Sequence, residues 1–599
     1  MESVSVNNVP EPPLENGELD NLPEPDQASA THTFLGFVFR EERFFLILSV
    51  FIGIFSGLAV VCFRFAIDFC RIHLLGAEIG ASGLRLILAP TITGLVIGAL
   101  VLHVFPLARG SGVNQTKAAL YIYNGYIPFR TAIGKFITAA LAIGSGQSLG
   151  PEDPSLQIGA GFASALGRRL HLSRDRMRLI APVGAAAGLG AAFNAPISAV
   201  LFVIEEVIGR WSAGILGSVV LSAVSSVVVM RWFLGSQPFF RVPPVELIRP
   251  GELIAYAVLG VAGGLASVVF AGGIGTLRPR LKSMPRWTQY FQPAAAGLVI
   301  GCVALLGAPQ VLGAGYDFID QAIHNQFTWQ FLGVLVGLKI LATIVSFVSG
   351  TPGGMFAPTL FIGAMLGAFV AGLEHLLFPH LAISAGTYAM VGMGVLFAGF
   401  LRAPMTSVFM VLEVSGNYTI ILPVIVANTF AYVISRALQP VPIFDMLTRQ
   451  DGLDLPSMEE EREQSILRVE DAMRVKTGPV LDGEQSLQRA VQQLKEIESG
   501  NLLVRMRPAG WNTIDVRELR TMLAQGKQEV SLRSVLPIRQ IPYLHPDHSL
   551  DTALRYVYRW PVLPVVSRAD TSKLEGVISK EDILHLYQEL EEDLSEAPQ

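Results

Sequence analysis

The sequence predicts an all-α polytopic membrane protein followed by a smaller α/β module. Three observations carry that prediction. Of the 599 residues, 51% are apolar and 16% charged, with a mean hydropathy of +0.48. Soluble domains run at about a quarter charged, so charge could not cover the surface of this chain. The charge-poor part is one continuous region, from about Arg43 to Leu438, and charge returns abruptly after Pro440. The composition excludes a disordered chain, a disulfide scaffold and a collagenous repeat. A net charge of −5 gives no electrostatic reason to expect nucleic acid as a partner. Cys62, Cys70 and Cys302 lie in apolar stretches without metal-ligand spacing and read as small hydrophobes.

Residues 1–39 contain neither Lys nor Arg, and they are rich in acids and prolines. Such a segment buries too little apolar surface to order itself, and it lacks the basic start and apolar core of a signal peptide. It reads as a disordered acidic cytosolic tail. Residues 44–63 can cross a bilayer alone, since a span needs about 20 apolar residues. Similar runs begin near Leu84, Ala132, Leu216, Ile254, Phe291, Phe331, Tyr388 and Ile420. Leu156–Leu166 and Phe356–Leu366 are too short for a simple crossing and are opened by Gly and Pro. They read as helices that stop inside the membrane, which is tolerated only beside protein or a polar cavity. Arg40 and Arg43 before the first span favour a cytosolic N-terminus.

The membrane part repeats itself. Gly110-Ser111-Gly112 recurs 203 residues later as Gly313-Ala314-Gly315. Lys135, Gly146, Gly150, Pro154, Leu156, Ile158 and Gly159 recur 204 residues on, as Lys339, Gly350, Gly354, Pro358, Leu360, Ile362 and Gly363. Ala195-Pro196, Val200, Val203 and Glu205 recur 208 residues on, as Ala403-Pro404, Val408, Val411 and Glu413. The order is the same in both halves, about 43–235 and 250–438. Two related halves with broken helices predict a transporter whose helix N-termini converge near the midplane. A helix N-terminus offers unpaired N–H groups and partial positive charge, and glycine there admits a ligand to the backbone. The pattern therefore predicts an anion site built from backbone. The bland alternative is that Gly and Pro only permit close helix packing.

These blocks resemble the CLC family of chloride channels and proton-coupled anion antiporters. The resemblance rests on GSG at Gly110–Gly112, GMFAP at Gly354–Pro358 and IEE at Ile204–Glu206, and more weakly on LGPEDP at Leu149–Pro154. It implies a homodimer in a lipid bilayer, with one ion pathway per subunit across residues 40–447. It further implies that Ser111 Oγ and the backbone around Gly112, Gly354, Met355 and Phe356 contact a central anion. Glu152 would be the external gate, a carboxylate that takes an anion position and withdraws once protonated. Glu206 would pass protons toward the cytosolic side. A carboxyl group at membrane depth is costly unless it has a function. Glu205 repeats as Glu413, which favours a structural role, whereas Glu206 repeats as Val414 and breaks the symmetry.

Several positions depart from the family pattern. Its loop usually reads Gly-Arg/Lys-Glu-Gly-Pro; here it is Gly150-Pro151-Glu152-Asp153-Pro154. Pro151 removes a cation and an N–H donor. Asp153 adds a second acid beside the path, or else caps its own helix and points away. Asn114 stands where the family commonly has proline. The tyrosine that commonly joins the central anion site aligns with Phe444, which has no hydroxyl. Lys135 and Lys339, as repeat mates, are expected to hold carbonyls. Arg64 and Asp68, four apart, are expected to pair.

Beyond a linker at 448–466, with a helix expected over Met458–Gln464, residues 467–590 resemble a tandem cystathionine-β-synthase-type (CBS) module, leaving 591–599 as a tail. Ser486-Leu487-x-x-Ala490 recurs as Ser549-Leu550-x-x-Ala553. The resemblance implies an adenine nucleotide as a possible ligand, with Ser579 on phosphate and Asp582 on ribose; alternatively the two cap a helix and the module is a dimer clamp. No cofactor is required for transport and no metal is expected. Gly144-Ser145-Gly146 prompts a hydrolase reading, but no paired histidine is evident, so the protein is not expected to be an enzyme. The expected function is membrane transport of chloride or a similar small anion, exchanged for protons. The alternatives are a passive voltage- or ligand-gated anion channel of the same fold and a nucleotide sensor with altered transport. The family resemblance places it as a multi-pass protein of a bacterial inner membrane with both termini cytoplasmic.

Overall fold

The computed structural model describes residues 31–34, 37–76, 83–209, 213–237, 239–240, 252–377, 384–453, 455, 467–475, 479–494, 500–506, 510–525, 528–536, 541–568 and 570–596. The chain divides into two units, Met1–Ser457 and Met458–Gln599. Residues 1–30 of the expected acidic tail and the expected helix over Met458–Gln464 lie outside the described residues.

The tail expectation is corrected at its C-terminal end. Thr31–Phe34 (β1) and Phe37–Arg40 (β2) form an antiparallel hairpin with Thr31 opposite Arg40. Thr, Phe and Val have high strand propensity, and the acids and prolines of the tail stop before them.

The first half of the membrane unit contains α1 (Glu41–Leu74), α2 (Gly83–His103), α3 (Gly112–Tyr121), α4 (Phe129–Gly144), α5 (Glu152–Arg169), α6 (Arg174–Phe193), α7 (Pro196–Phe202) and α8 (Ala213–Leu234). A π-helical turn, Val203–Ile208, continues α7. The second half contains α9 (Glu252–Lys282), α10 (Gln292–Leu305), α11 (Tyr316–Ile323), α12 (Trp329–Val348), α13 (Phe356–Leu377), α14 (Ala385–Leu401), α15 (Pro404–Ser415) and α16 (Ile421–Leu438), followed by α17 (Ile443–Gln450). Repeat mates fall on matching helices: Lys135 on α4 and Lys339 on α12, Pro154 to Gly159 on α5 and Pro358 to Gly363 on α13, and Pro196 on α7 and Pro404 on α15, while the paired glycines at 110, 146 and 150 lie in matching connections. Seven stretches of the described residues are long and apolar enough to cross a membrane. One of them is α13, which runs eleven residues beyond the short piece expected to end at Leu366.

Packing follows the same symmetry. Helix α5 lies on α6 as α13 lies on α14, α1 on α8 as α9 on α16, and the mates α2 and α10 pack on each other. Glycine makes the closest crossings possible. A Cβ at Gly184 would collide with the Gly159 carbonyl, and one at its mate Gly392 with the Gly363 carbonyl. At the centre, Gly150 and Gly354 exchange both backbone hydrogen bonds at 2.8 Å in an antiparallel bridge. Mates that pair antiparallel and reciprocally are related by a local two-fold axis, as an inverted repeat requires.

The second unit runs α18 (Val469–Ala472), β3 (Leu481–Asp482), α19 (Leu487–Gln493), β4 (Asn501–Arg505), β5 (Trp511–Asp515), α20 (Val516–Ala524), α21 (Leu532–Val535), α22 (Leu550–Val557), β6 (Val562–Val566), β7 (Leu574–Ser579) and α23 (Lys580–Glu596). Strand β4 pairs parallel with β3 and antiparallel with β5, and β6 pairs antiparallel with β7. The repeated Ser-Leu-x-x-Ala starts α19 and α22 alike. Its Ser is the N-cap, and Leu487, Ala490, Leu550 and Ala553 enter the two cores. Helix α23 continues past residue 590, where a tail was expected, to Glu596, over a stretch free of Gly and Pro.

Candidate functional site

The first element of the site is the N-terminus of α3. Gly110 has φ +80°, which turns the chain, and Ser111 follows as an extended N-cap whose Oγ accepts from Val113 N–H at 3.2 Å. Lys135 Nζ fixes this turn by donating to Ala108 O at 3.2 Å and Gly110 O at 2.5 Å. Its mate Lys339 donates to Val311 O at 2.9 Å and Gly313 O at 2.8 Å. Both buried lysines thus replace water for carbonyls that no helix satisfies, the structural task expected of them.

The second element is the pair of helix starts joined by the Gly150–Gly354 bridge. Glu152 opens α5 and Phe356 opens α13, and both are fully buried. The carboxylate of Glu152 folds back against Gly150 beside the Ala357 N–H. Neither of its oxygens makes a well-formed hydrogen bond, and the side chain is 0% exposed. The Asp153 carboxylate does not cap its own helix. It crosses to α3, where Oδ2 accepts from Ser111 Oγ at 2.9 Å and Oδ1 accepts from Gly112 N–H and, at 3.2 Å, from Val113 N–H. Asp153 thus does not follow the alternative reading, in which it caps α5 and points away.

Phe356 and Phe444 meet at 6.2 Å between ring centroids, and Phe202 packs edge-on against both, at 4.9 and 6.2 Å. This apolar wall places Phe444 beside the start of α13. Asn114 Nδ2 donates to Phe444 O at 3.2 Å and so ties α17 to α3, which accounts for Asn at a position where proline was expected. Arg278 and Lys282 of α9 hold the other end of α17 through Asp451, at 2.8 and 2.6 Å.

Glu206 lies in the π-helical turn and is buried. Lys117, from α3, stands 3.4 Å from Glu206 Oε1 and 2.9 Å from Asp445 Oδ1. Sequence reasoning missed this triad. The signal was present: Lys117 is the one cation between Arg109 and Arg130, and Asp445 directly follows Phe444. Glu205 has the structural role that its repeat implied. It accepts from Met405 N–H at 3.2 Å, Thr406 N–H at 2.9 Å and Thr406 Oγ1 at 2.6 Å, capping α15. Glu413 caps α7 reciprocally, through Ile197 N–H at 3.0 Å and Ser198 N–H at 2.8 Å.

Two cavities approach this centre. One, of about 320 Å³, is lined by Ser111, Asn114, Arg109, Arg278, Lys282 and Asp451, among others. The other, of about 900 Å³, is lined by Pro151, Arg64, Arg71, Gly313 and Tyr316, among others. The Arg64–Asp68 pairing expected from spacing is corrected. Asp68 pairs with Arg71 at 3.7 Å, while Arg64 lies over the Phe239 ring at 4.9 Å, where the ring face attracts the guanidinium. Ser145 Oγ donates to Ala142 O at 3.0 Å, as a helix-end hydroxyl does.

In the second unit, Ser579 N–H and Oγ both donate to Asp582 Oδ2 at 2.7 Å, and Asp582 N–H returns a bond to Ser579 Oγ at 3.4 Å. This is a closed capping box. Arg474 Nε pairs with Asp582 Oδ1 at 2.8 Å.

Comparison with known proteins agrees with this architecture. Residues 93–436 match the family model described as voltage gated chloride channel, and residues 532–589 match the CBS domain. A ClcB-like relative from Ralstonia nicotianae is 32% identical over 69% of this chain and 99% of its own length. The H(+)/Cl(-) exchange transporter ClcA of Vibrio campbellii is 31% identical over 67% of this chain and 88% of its own. A slow cyanobacterial Cl-/H+ antiporter of known structure superposes with a TM-score of 0.63 at 25% identity, over 68% of this chain and 97% of that one. A eukaryotic CLC transporter, at 20% identity and a TM-score of 0.58, shares the fold over 90% of this chain. The paired repeats, the helix starts that converge on Ser111 and Phe356, and these matches together show that the chain belongs to the voltage-gated chloride channel (CLC) family and carries a C-terminal CBS domain.

Proposed function

We propose that this protein carries chloride or a similar small anion across a membrane in exchange for protons. The observation that carries the reading is the Glu152 carboxyl group. It is fully buried at the start of α5, beside the start of α13, and its oxygens lack well-formed hydrogen bonds. A carboxylate so placed competes with a free anion for the same N–H groups. When it takes a proton it loses its claim on them, so anion entry and proton uptake are linked. In an inverted repeat α1 and α9 run in opposite senses. The cavity at the end of α1 and the cavity at the end of α9 therefore serve opposite faces, and the lining of each carries arginines, some of them paired with acids, as Arg71 is with Asp68 and Arg278 with Asp451. The relatives named as exchange transporters and antiporters support the same chemistry.

In this reading the backbone around Gly112, Gly354, Met355 and Phe356, with Ser111 Oγ, receives the anion, and Phe444 contributes an apolar wall in place of a hydroxyl. The unit is a homodimer in a bacterial inner membrane with both termini cytoplasmic, an arrangement supported by family likeness and by Arg40 before α1 and Arg43 in its first turn. An adenine nucleotide at Ser579 and Asp582 is the finer reading of the CBS domain, and it requires Arg474 to leave Asp582.

One observation favours a passive channel of the same fold: Lys117 holds the Glu206 carboxylate in a buried ion pair, so the side chain is tied to the scaffold. Reversal potentials in proteoliposomes under opposed chloride and pH gradients separate the two readings. Exchange moves the reversal potential away from the chloride equilibrium value when the pH gradient changes. A reversal fixed at that value under every pH gradient makes the protein a channel.

A further inference from the structure

The α3 N-terminus already holds an anion, and the anion belongs to the protein. Three donors at the first turn of α3, namely Ser111 Oγ, Gly112 N–H and Val113 N–H (the last shared with Ser111 Oγ), are directed at the Asp153 carboxylate, and both oxygens of that carboxylate are engaged. Asp153 is 0% exposed and comes from α5, forty-two residues away from Ser111 in sequence. The fit depends on two glycines. A Cβ at Gly112 would lie 2.7 Å from both Asp153 O and Oδ1, and a Cβ at Gly354 would lie 2.5 Å from Asp153 Cβ. The acid is therefore wedged between the two helix starts that would receive a free anion. Glu152, one residue earlier, faces the α13 start instead, so the two acids divide the two N-termini between them.

We infer that Asp153 is a built-in competitor for the central anion position: the transported anion reaches Ser111, Gly112 and Val113 only by displacing it, so this side chain sets anion affinity. The inference rests on the proposed transport function and adds a specificity-determining residue to it. A tethered carboxylate competes at an effective concentration of millimolar order or above, whereas a free anion must arrive from solution. Removing the competitor frees three aligned donors without moving a helix. A carboxylate also matches this donor set differently from a spherical halide. The competition should thus weigh most heavily on the anion that binds the set most weakly.

The test is calorimetric titration of detergent-solubilised full-length protein with chloride and with bromide. Wild type is compared with Asp153→Gly, Asp153→Asn and Asp153→Glu, with flux of each in liposomes. Asp153→Gly and Asp153→Asn should bind halide at least about tenfold more tightly than wild type. Asp153→Glu keeps the competing charge and should remain weak. Unchanged affinity in both the Gly and Asn variants overturns the inference, as does equal tightening in the Glu variant. Should Asp153→Gly fail to fold, the isosteric Asn variant decides alone. The transport reading fails on a separate result: wild-type liposomes that carry no anion under any gradient.

Discussion

Single side chains in the membrane unit divide by whether symmetry explains them. Glu205 and Glu413 cap each other's helix, and Lys135 and Lys339 hold matching carbonyls, so these four charges belong to the scaffold. Glu152, Asp153, Lys117 and Glu206 have no counterpart of the same kind in the other half, which reads Phe356, Ala357, Asp320 and Val414 at the corresponding spacings. The function we propose is concentrated in this asymmetric set. Lys117 neutralises two buried acids, and removing one partner from a buried ionic cluster leaves the others uncompensated. Lys117→Met should therefore cost about 3 kcal/mol or more. Thermal unfolding in detergent should show a clearly lowered midpoint. A midpoint equal to wild type would mean that the triad is not paired in the folded protein.

Among elements, the short helices were the part least legible in the sequence. Long apolar runs announced α1, α2, α8, α9, α12 and α16 to within a few residues. Helix α6 carries Arg, Asp and many alanines, so its burial between α5 and α8 had no hydropathy signal. The repeat supplied what hydropathy did not, because it placed α3, α5, α7 and their mates in register. It could not give side-chain direction, which is why Asp153 was open between facing the path and capping α5. The close helix crossings make a quantitative test of the symmetry. Gly184→Ala and Gly392→Ala each drive a methyl group into a carbonyl of the facing helix, and each should cost about 1–3 kcal/mol by overpacking. Equal losses in unfolding midpoint are expected. A cost confined to one of the pair would show that the halves do not share their packing.

For the molecule as a whole, composition and the spacing of the blocks made the two-part architecture and the family readable. The site was readable in part. Ser111, Glu152, Phe356 and Phe444 were expected near one another, and direct contacts link Ser111 to Asp153 and Phe356 to Phe444. The Lys117–Asp445 contact spans 328 positions and was invisible without a fold. In the second unit, the first half builds its core on the same Ser-Leu-x-x-Ala start as the second. The Ser579–Asp582 pair is complete as a cap without any ligand.

The central claim is that a protein carboxylate and a travelling anion take turns at the same backbone donors. Glu152→Gln tests it most directly, because the amide keeps the shape and cannot ionise. In proteoliposomes loaded with chloride, wild type should take up protons as chloride leaves. The variant should pass chloride at a rate independent of pH and move no protons. Proton movement that persists undiminished in Glu152→Gln would contradict the account.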